Sequence, residues 1–348
     1  MTQTNARLPV TVLGAGAWGT ALASAACQRA DVLLWGRDAK KMQALSDTHE
    51  NHAYLPGIAL APSLRLTASL SEALEHVTQQ ANGRPGLIVL GTPMSGLRQT
   101  VEMVLKSLHD PSNIAGLIWT CKGLDPLTGQ LAHELVAQNA SVLPSGIPTG
   151  VLSGPSFAKE VAQGLPVALT IASTSESLKQ AVIESFHAGA MRIYGSSDLV
   201  GVEVGGALKN VMAIACGISD ALRLGSNARA ALITRGLAEM TRFGLALGAQ
   251  ASTFYGLTGL GDLVLTATGE LSRNRHVGLE IGRGATLDDI LAQGLTAEGA
   301  RCARAVAARA NTLGIAMPIT EAVCSTLFGG VTPSEAVARL LARDATEE

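Results

Sequence analysis

Uninterrupted apolar runs, rather than alternating ones, mark the first half of the chain. Val10 to Leu13, Val32 to Trp35, Leu87 to Leu90, Leu117 to Thr120 and Val167 to Ala172 are short, rich in β-branched residues, and in several cases separated by helix-length segments. Strands buried on both faces read as continuous apolar runs, and their alternation with helices favours a parallel, doubly wound sheet. After about Ser197 the pattern changes to helix-period Ala and Leu punctuated by Gly, and convincing strand runs stop. The prediction is therefore an α/β protein: an N-terminal doubly wound sheet over residues 1–195, followed by an all-helical domain over residues 196–348.

Composition agrees with two domains, because 348 residues exceed what one core usually covers at roughly 150 residues per domain. With 47% hydrophobic residues and 38 glycines, disorder is excluded. Twenty-six basic against 28 acidic residues leave a net charge of -2, so no global field favours nucleic acid or an anionic membrane, and any anion must be met locally. Cys27, Cys121, Cys216, Cys302 and Cys324 are scattered without C-x-x-C spacing and read as reduced thiols, with no metal site implied. The N-terminus passes from a short polar arm straight into a strand pattern, without a secretory signal, which predicts a cytoplasmic protein. Charge or dense Gly/Pro interrupts the apolar stretches, so no membrane span is expected. The acidic tail at 344–348 is the one biased segment.

The first strand run leads into Gly14-Ala15-Gly16-Ala17-Trp18-Gly19 and then an Ala-rich helix expected over Thr20 to Arg29. Glycines at these three positions allow a tight turn, close approach of a pyrophosphate, and packing of helix on strand, in that order. Strand, glycine loop, helix and second strand together favour a Rossmann-type dinucleotide site over a turn that merely packs. The second strand ends in Gly36-Arg37-Asp38, where NAD-binding folds usually carry an acid for the ribose 2′-hydroxyl. Arg37 suits a 2′-phosphate and tilts the reading to NADP(H); Asp38 keeps NAD(H) open, and Arg37 also reads as a solvated loop charge.

Residues 198–220 read as one long helix with Asp198 near its N-cap. Gly205 and Gly206 lie one turn before Lys209 on the same face, so the lysine stem is expected to run over bare backbone with room for a ligand beside the amine. A desolvated lysine suits proton transfer near neutral pH, though a snorkelling or ion-paired lysine fits the same pattern. Lys122 follows the strand run 117–120, at the carboxyl edge where open sheets bind ligands, or else is surface charge. Ser153-Gly-Pro-Ser reads as a turn entering a short helix, with Pro155 in its first turn and Gly164 at its end. Ser272-Arg-Asn-Arg opens a helix over Arg273 to Gly282, where free N–H groups, an arginine and an amide make a phosphate site or a plain capped helix. Asp262, in an irregular Gly-rich segment, either pairs with Lys209 or caps the next helix.

These segments resemble the bacterial NAD(P)-dependent glycerol-3-phosphate dehydrogenases over nearly the whole chain. The resemblance rests on GAGAWGTALA at 14–23, LLWGRD at 33–38, NHAYLPG at 51–57, TCKGL at 120–124, SGPSFAKEV at 153–161, GVEVGGALKNVMAIACGISD at 201–220, NARAALITRGLAEM at 227–240, GLGDLVLT at 259–266, SRNR at 272–275 and AEG at 297–299. It implies that Lys209 is the proton donor and acceptor, with Lys122 and Asp262 beside it in the catalytic set. Gly154, Ser156, Lys122, Lys209, Asp262, Ser272, Arg273 and Asn274 then line the substrate site. Gly14, Gly16, Ala17, Trp18, Gly19, Arg37, Lys122, Ala158, Arg273, Thr296 and Glu298 contact the dinucleotide. Ala17 stands where the family commonly has Ser, Gly91-Thr92-Pro93 replaces a common Val-Pro-Ser, and Thr296-Ala297 replaces Val-Val.

The implied reaction is hydride transfer between a nicotinamide and C2 of dihydroxyacetone phosphate, NADP(H) favoured and NAD(H) possible, supplying glycerol 3-phosphate for phospholipid synthesis in a cytoplasmic homodimer. The rivals are a reductase of hydroxy acids or ketopantoate and a non-enzymatic NADP(H) sensor. The first has no obvious use for a phosphate-binding helix cap and the second none for the lysine face.

Overall fold

Eight strands form one sheet in the computed structural model, which describes residues 7–79, 84–108, 113–138, 146–294 and 298–342. In chain order they are β1 (Pro9–Leu13), β2 (Asp31–Trp35), β3 (Arg65–Thr67), β4 (Gly86–Leu90), β5 (Ile114–Trp119), β6 (Thr149–Ser153), β7 (Val167–Ala172) and β8 (Met191–Ser196). In space the order is β3-β2-β1-β4-β5-β6-β7-β8, and neighbours are parallel except for β6 and β7. The five apolar runs of the sequence are strands of this sheet, with β1 and β4 buried throughout.

Strands β3, β6 and β8 carry no such run, for different reasons. β3 is a three-residue edge, while β6 mixes Thr, Gly and Ser because Gly150 lets it approach the Ala172 carbonyl of β7. β8 buries Met191 and Ile193 and exposes Arg192 and Tyr194, the alternation of an edge strand covered on one face.

Helices α1 (Ala17–Ala26), α2 (Ala39–Thr48), α3 (Leu70–Thr78), α4 (Met94–Ser107), α5 (Ala132–Gln138), α6 (Ala158–Ala162) and α7 (Glu176–Phe186) intervene between the strands. The first begins three residues earlier than its sequence suggests, because Gly16 itself is the N-cap. Helix α6 likewise begins at Ala158 and not at Pro155; Pro155 lies in the turn before it, and Gly164 follows its end with φ +75.

The chain divides into two compact units, residues 1–122 with 132–199, and residues 123–131 with 200–348. The second consists, among the described residues, of α8 (Leu199–Ala221), α9 (Gly225–Ala246), α10 (Ala251–Phe254), a π-helical turn (Leu257–Gly261), α11 (Asp262–Thr268), α12 (Arg273–Gly282), α13 (Leu287–Ala292), α14 (Glu298–Leu313), α15 (Pro318–Phe328) and α16 (Pro333–Leu341). Residues 123–131 belong to it because Leu124 and Leu131 enter its core. Helix α8 is long and apolar enough by composition to cross a membrane, but residues 201–219 are buried inside the protein. The five cysteines form no disulfide, and all but Cys324 are buried.

Polar side chains tie the helices of this unit together. Asp220 at the end of α8 receives Arg229 from α9 at 2.6 Å and Arg275 from α12 at 2.7 Å. Glu239 of α9 is 2% exposed and caps a helix far along the chain, accepting from the Ile319 amide at 2.6 Å and the Thr320 amide at 3.3 Å at the start of α15. Burial pushes its carboxyl up to about 7 against those hydrogen bonds, which act in the opposite sense.

A carboxyl held above its unfolded value binds more protons in the native state, so its contribution to stability is present at acid pH and lost as pH rises through 7. Between pH 5 and 8, wild type is expected to lose on the order of 2 kcal/mol of unfolding free energy relative to Glu239→Gln, measured by urea titration at each pH. A pH-independent difference between the two would refute the assignment.

Candidate active site

In the first unit, the sequence-predicted residues gather at the carboxyl edge of the parallel strands. Gly14 leaves β1 at φ +127, a conformation that L side chains resist, and a Cβ there would lie 2.9 Å from the Gly91 carbonyl group. Gly91 follows β4, so the loop sits where the strand order reverses between β1 and β4, the switch point at which open α/β sheets bind ligands. A Cβ on Gly19 would overlap the Gly14 carbonyl oxygen, whereas one on Gly16 would meet nothing within 4 Å. The first and third glycines thus serve the protein's own packing, and the second keeps open space in front of the helix.

That geometry fits a pyrophosphate. A polar orphan lies beside it: the Thr92 hydroxyl oxygen is buried beyond β4 with no hydrogen-bond partner. Ala17 opens α1, and both it and Trp18 pack partly buried against the sheet core. Helix α6, which Ala158 begins, packs on α1. Arg37 is exposed just past β2.

Lys122, three residues beyond β5, donates from Nζ to the Gly154 carbonyl at 3.0 Å, and the Ser156 hydroxyl donates to the same oxygen at 3.2 Å. Gly154 takes φ +142 beside the Leu169 backbone of β7. The hydroxyl of Ser153, the last residue of β6, is buried without a partner. Thr92 and Ser153 carry no site role in the sequence reading, because Ser and Thr at strand ends are common; their signal is the position one step from a glycine at the carboxyl edge.

In the second unit, Lys209 is 7% exposed in the middle of α8. Its Nζ lies 2.6 Å from Asp262 Oδ1 and 3.0 Å from Thr266 Oγ1. The Thr266 hydroxyl in turn donates to the Asp262 carbonyl at 2.7 Å, one turn back in α11. Of the two readings of Asp262, the structure takes the ion pair.

The space expected beside the lysine is not left for a ligand at Gly205. A Cβ there would overlap the Thr258 carbonyl oxygen, so this glycine admits the π-helical turn that carries Asp262 into α11. That segment is helical, where an irregular loop was expected.

Ser272 caps α12, accepting from the Arg275 amide at 3.2 Å, and α12 spans the residues its sequence predicts. Arg273 is exposed at the first helical position, while Arg275 is held by Asp220. Both ends of the Asn274 amide are engaged: Nδ2 donates to Asn210 Oδ1 at 2.9 Å, and Oδ1 accepts from the Gly299 amide at 3.0 Å. Asn210 and Thr266 went unassigned in the sequence because nothing local marks a partner more than fifty residues away. Glu298 is the first residue of α14, and Thr296 lies outside the described residues. No cluster of metal-ligating side chains occurs among the described residues.

Two family models match: the NAD-dependent glycerol-3-phosphate dehydrogenase N-terminus over residues 9–179 and the C-terminus over residues 198–338. The chain is 57% identical over 341 residues to a glycerol-3-phosphate dehydrogenase [NAD(P)+] of Ralstonia nicotianae, covering 97% of this chain and 98% of that protein. It is 54% identical over 346 residues to one of Cupriavidus pinatubonensis, covering 99% and 98%. Its structure is similar to the crystal structure of glycerol-3-phosphate dehydrogenase from Coxiella burnetii, with a TM-score of 0.88 at 37% identity, covering 97% and 99% of the two chains.

Gly205→Ala tests the packing that sets the ion pair. Helix propensity alone favours alanine by roughly 1 kcal/mol, while overpacking costs about 1–3 kcal/mol and rigid backbone is the obstacle here. Net destabilisation in urea titration is the expected sign; a stabilised variant would mean that the turn at 257–261 yields.

Proposed function

From the premise that this chain belongs to the NAD-dependent glycerol-3-phosphate dehydrogenase family, we propose that it interconverts sn-glycerol 3-phosphate and dihydroxyacetone phosphate with NADP(H) or NAD(H). The observation that carries the residue-level reading is the buried Lys209 ammonium held by Asp262 and Thr266. When bound, the nicotinamide supplies or accepts the hydride at C2.

The protein's own work is proton transfer and placement. In the reductive direction Lys209 gives a proton from Nζ to the substrate oxygen on C2 as negative charge develops there, and in oxidation it takes that proton back. Asp262 and Thr266 fix two directions around Nζ and so orient the amine for proton transfer. Lys122 is turned toward Gly154 and serves as a second cation for substrate and cofactor. Arg273 and the N-terminal end of α12 bind the phosphate, with Ser272 setting the helix end. Asn274, committed to Asn210 and Gly299, supports that end. Binding the remote phosphate orients C2 for reaction.

The glycine loop of residues 14–19 cradles the pyrophosphate, with Trp18, Ala158, Thr296 and Glu298 as further cofactor contacts. A cytoplasmic homodimer supplying glycerol 3-phosphate for phospholipid synthesis completes the reading, supported by the family resemblance.

Oxidation of NADPH and NADH by dihydroxyacetone phosphate, followed spectrophotometrically, tests the reaction. In that assay Lys209→Ala should lower kcat by at least about 100-fold while NADPH affinity stays within about twofold; near-normal turnover would sink the assignment. Arg273→Ala should lower kcat/KM for dihydroxyacetone phosphate roughly 10- to 100-fold at saturating NADPH, with little change on dihydroxyacetone, since a charge-assisted hydrogen bond contributes about 1.5–3 kcal/mol. A proportionate fall on both substrates would assign Arg273 to the cofactor or the fold.

A further inference from the structure

At the end of β2, where dinucleotide folds commonly place a carboxylate for the ribose 2′-hydroxyl, the side-chain position is already filled by protein. Gly36 directly follows the strand and donates from its amide to the Thr67 carbonyl at 3.1 Å, continuing the ladder toward β3. A Cβ on Gly36 would overlap Met42 Sδ and lie 3.1 Å from Met42 Cγ and 3.2 Å from the Ala15 Cβ of the glycine loop. Met42 is 4% exposed on α2 and part of the core.

The next carboxylate along, Asp38, is the N-cap of α2, where its Oδ1 accepts from the Lys40 amide at 3.1 Å and the Lys41 amide at 3.2 Å. Between the two, Arg37 is exposed.

We propose that Met42 and the Asp38 cap act as cofactor-specificity determinants: one bars a carboxylate from position 36, the other ties the neighbouring carboxylate to its own helix. Neither position 36 nor the capping oxygen of Asp38 then offers a carboxylate to the ribose, and the Arg37 cation selects a 2′-phosphorylated dinucleotide. A ribose carboxylate would do the reverse, accepting from the 2′-hydroxyl of NADH and repelling the 2′-phosphate of NADPH. The inference rests on the dinucleotide reading above and extends it to residues outside the glycine loop.

Isothermal titration of the full chain with NADPH and with NADH, without substrate, tests it. Asparagine caps a helix as well as aspartate does, so Asp38→Asn should leave the NADH Kd within about twofold; a rise of about tenfold or more would show that Asp38 holds the ribose and would overturn the proposal. Gly36→Asp alone should weaken NADPH without improving NADH. Combined with Met42→Ala it should bind NADH at least about tenfold more tightly than the single variant does.

A single variant that already gains NADH as fully as the double variant would overturn the role of Met42. A single variant that fails to fold while the double variant folds would support it. Arg37→Ala should raise the NADPH Kd about tenfold or more and spare NADH. If wild type binds neither dinucleotide, the proposed function itself fails, an outcome distinct from all of these.

Discussion

The Lys209 ammonium lies in the middle of an apolar helix, where removing one partner of a buried ion pair costs about 3–5 kcal/mol, and the second unit is arranged to meet that charge. Asp262 is brought to 2.6 Å by a π-helical turn, and that turn reaches α8 because residue 205 has no side chain. Thr266 fills a second direction of the ammonium and is itself anchored one turn back in α11. A single buried cation thus accounts for a glycine in a helix interior, an uncommon helical turn and a buried threonine, none of which helix propensity favours.

The first unit meets its chemistry with backbone. Its glycines bring β1, β4 and α1 within close approach at the switch point, so the loop after β1 faces open space with amides rather than side chains. Lys122 is steered by a backbone carbonyl, and that carbonyl is positioned by a glycine with φ +142. The hydroxyls of Thr92 and Ser153, buried without partners at the same edge, are the kind of polar orphan that a folded protein keeps where a ligand completes the hydrogen bonds.

Polar links at long sequence separation hold the helices that carry the second unit's site. Asn274 joins the first turn of α12 to Asn210, next to Lys209, and to the first turn of α14. Asp220 adds two arginines at the α8, α9 and α12 ends, and Glu239 satisfies the start of α15. Buried and part-buried polar links of this sort favour one arrangement of helices, because shifting a helix would strand a polar group away from its partner.

By itself the sequence determined the doubly wound sheet, the glycine loop, the helical second half and the span of α12, because each is written in local periodicity or in residues within one turn of one another. It also placed Lys209 and Lys122 among the candidates, as cations stand out in apolar surroundings. Only the tertiary structure decided what Gly205 makes room for, that Asp262 pairs rather than caps, that Asn274 is a cross-link, and that Met42 fills the space beside Gly36. It likewise revealed β3, β6 and β8, whose short or mixed sequences form strands because neighbouring strands supply their hydrogen bonds. Those outcomes depend on contacts between residues from six to 64 positions apart, and neither periodicity nor propensity encodes which distant backbone occupies the space beside a glycine or which distant group a buried charge meets.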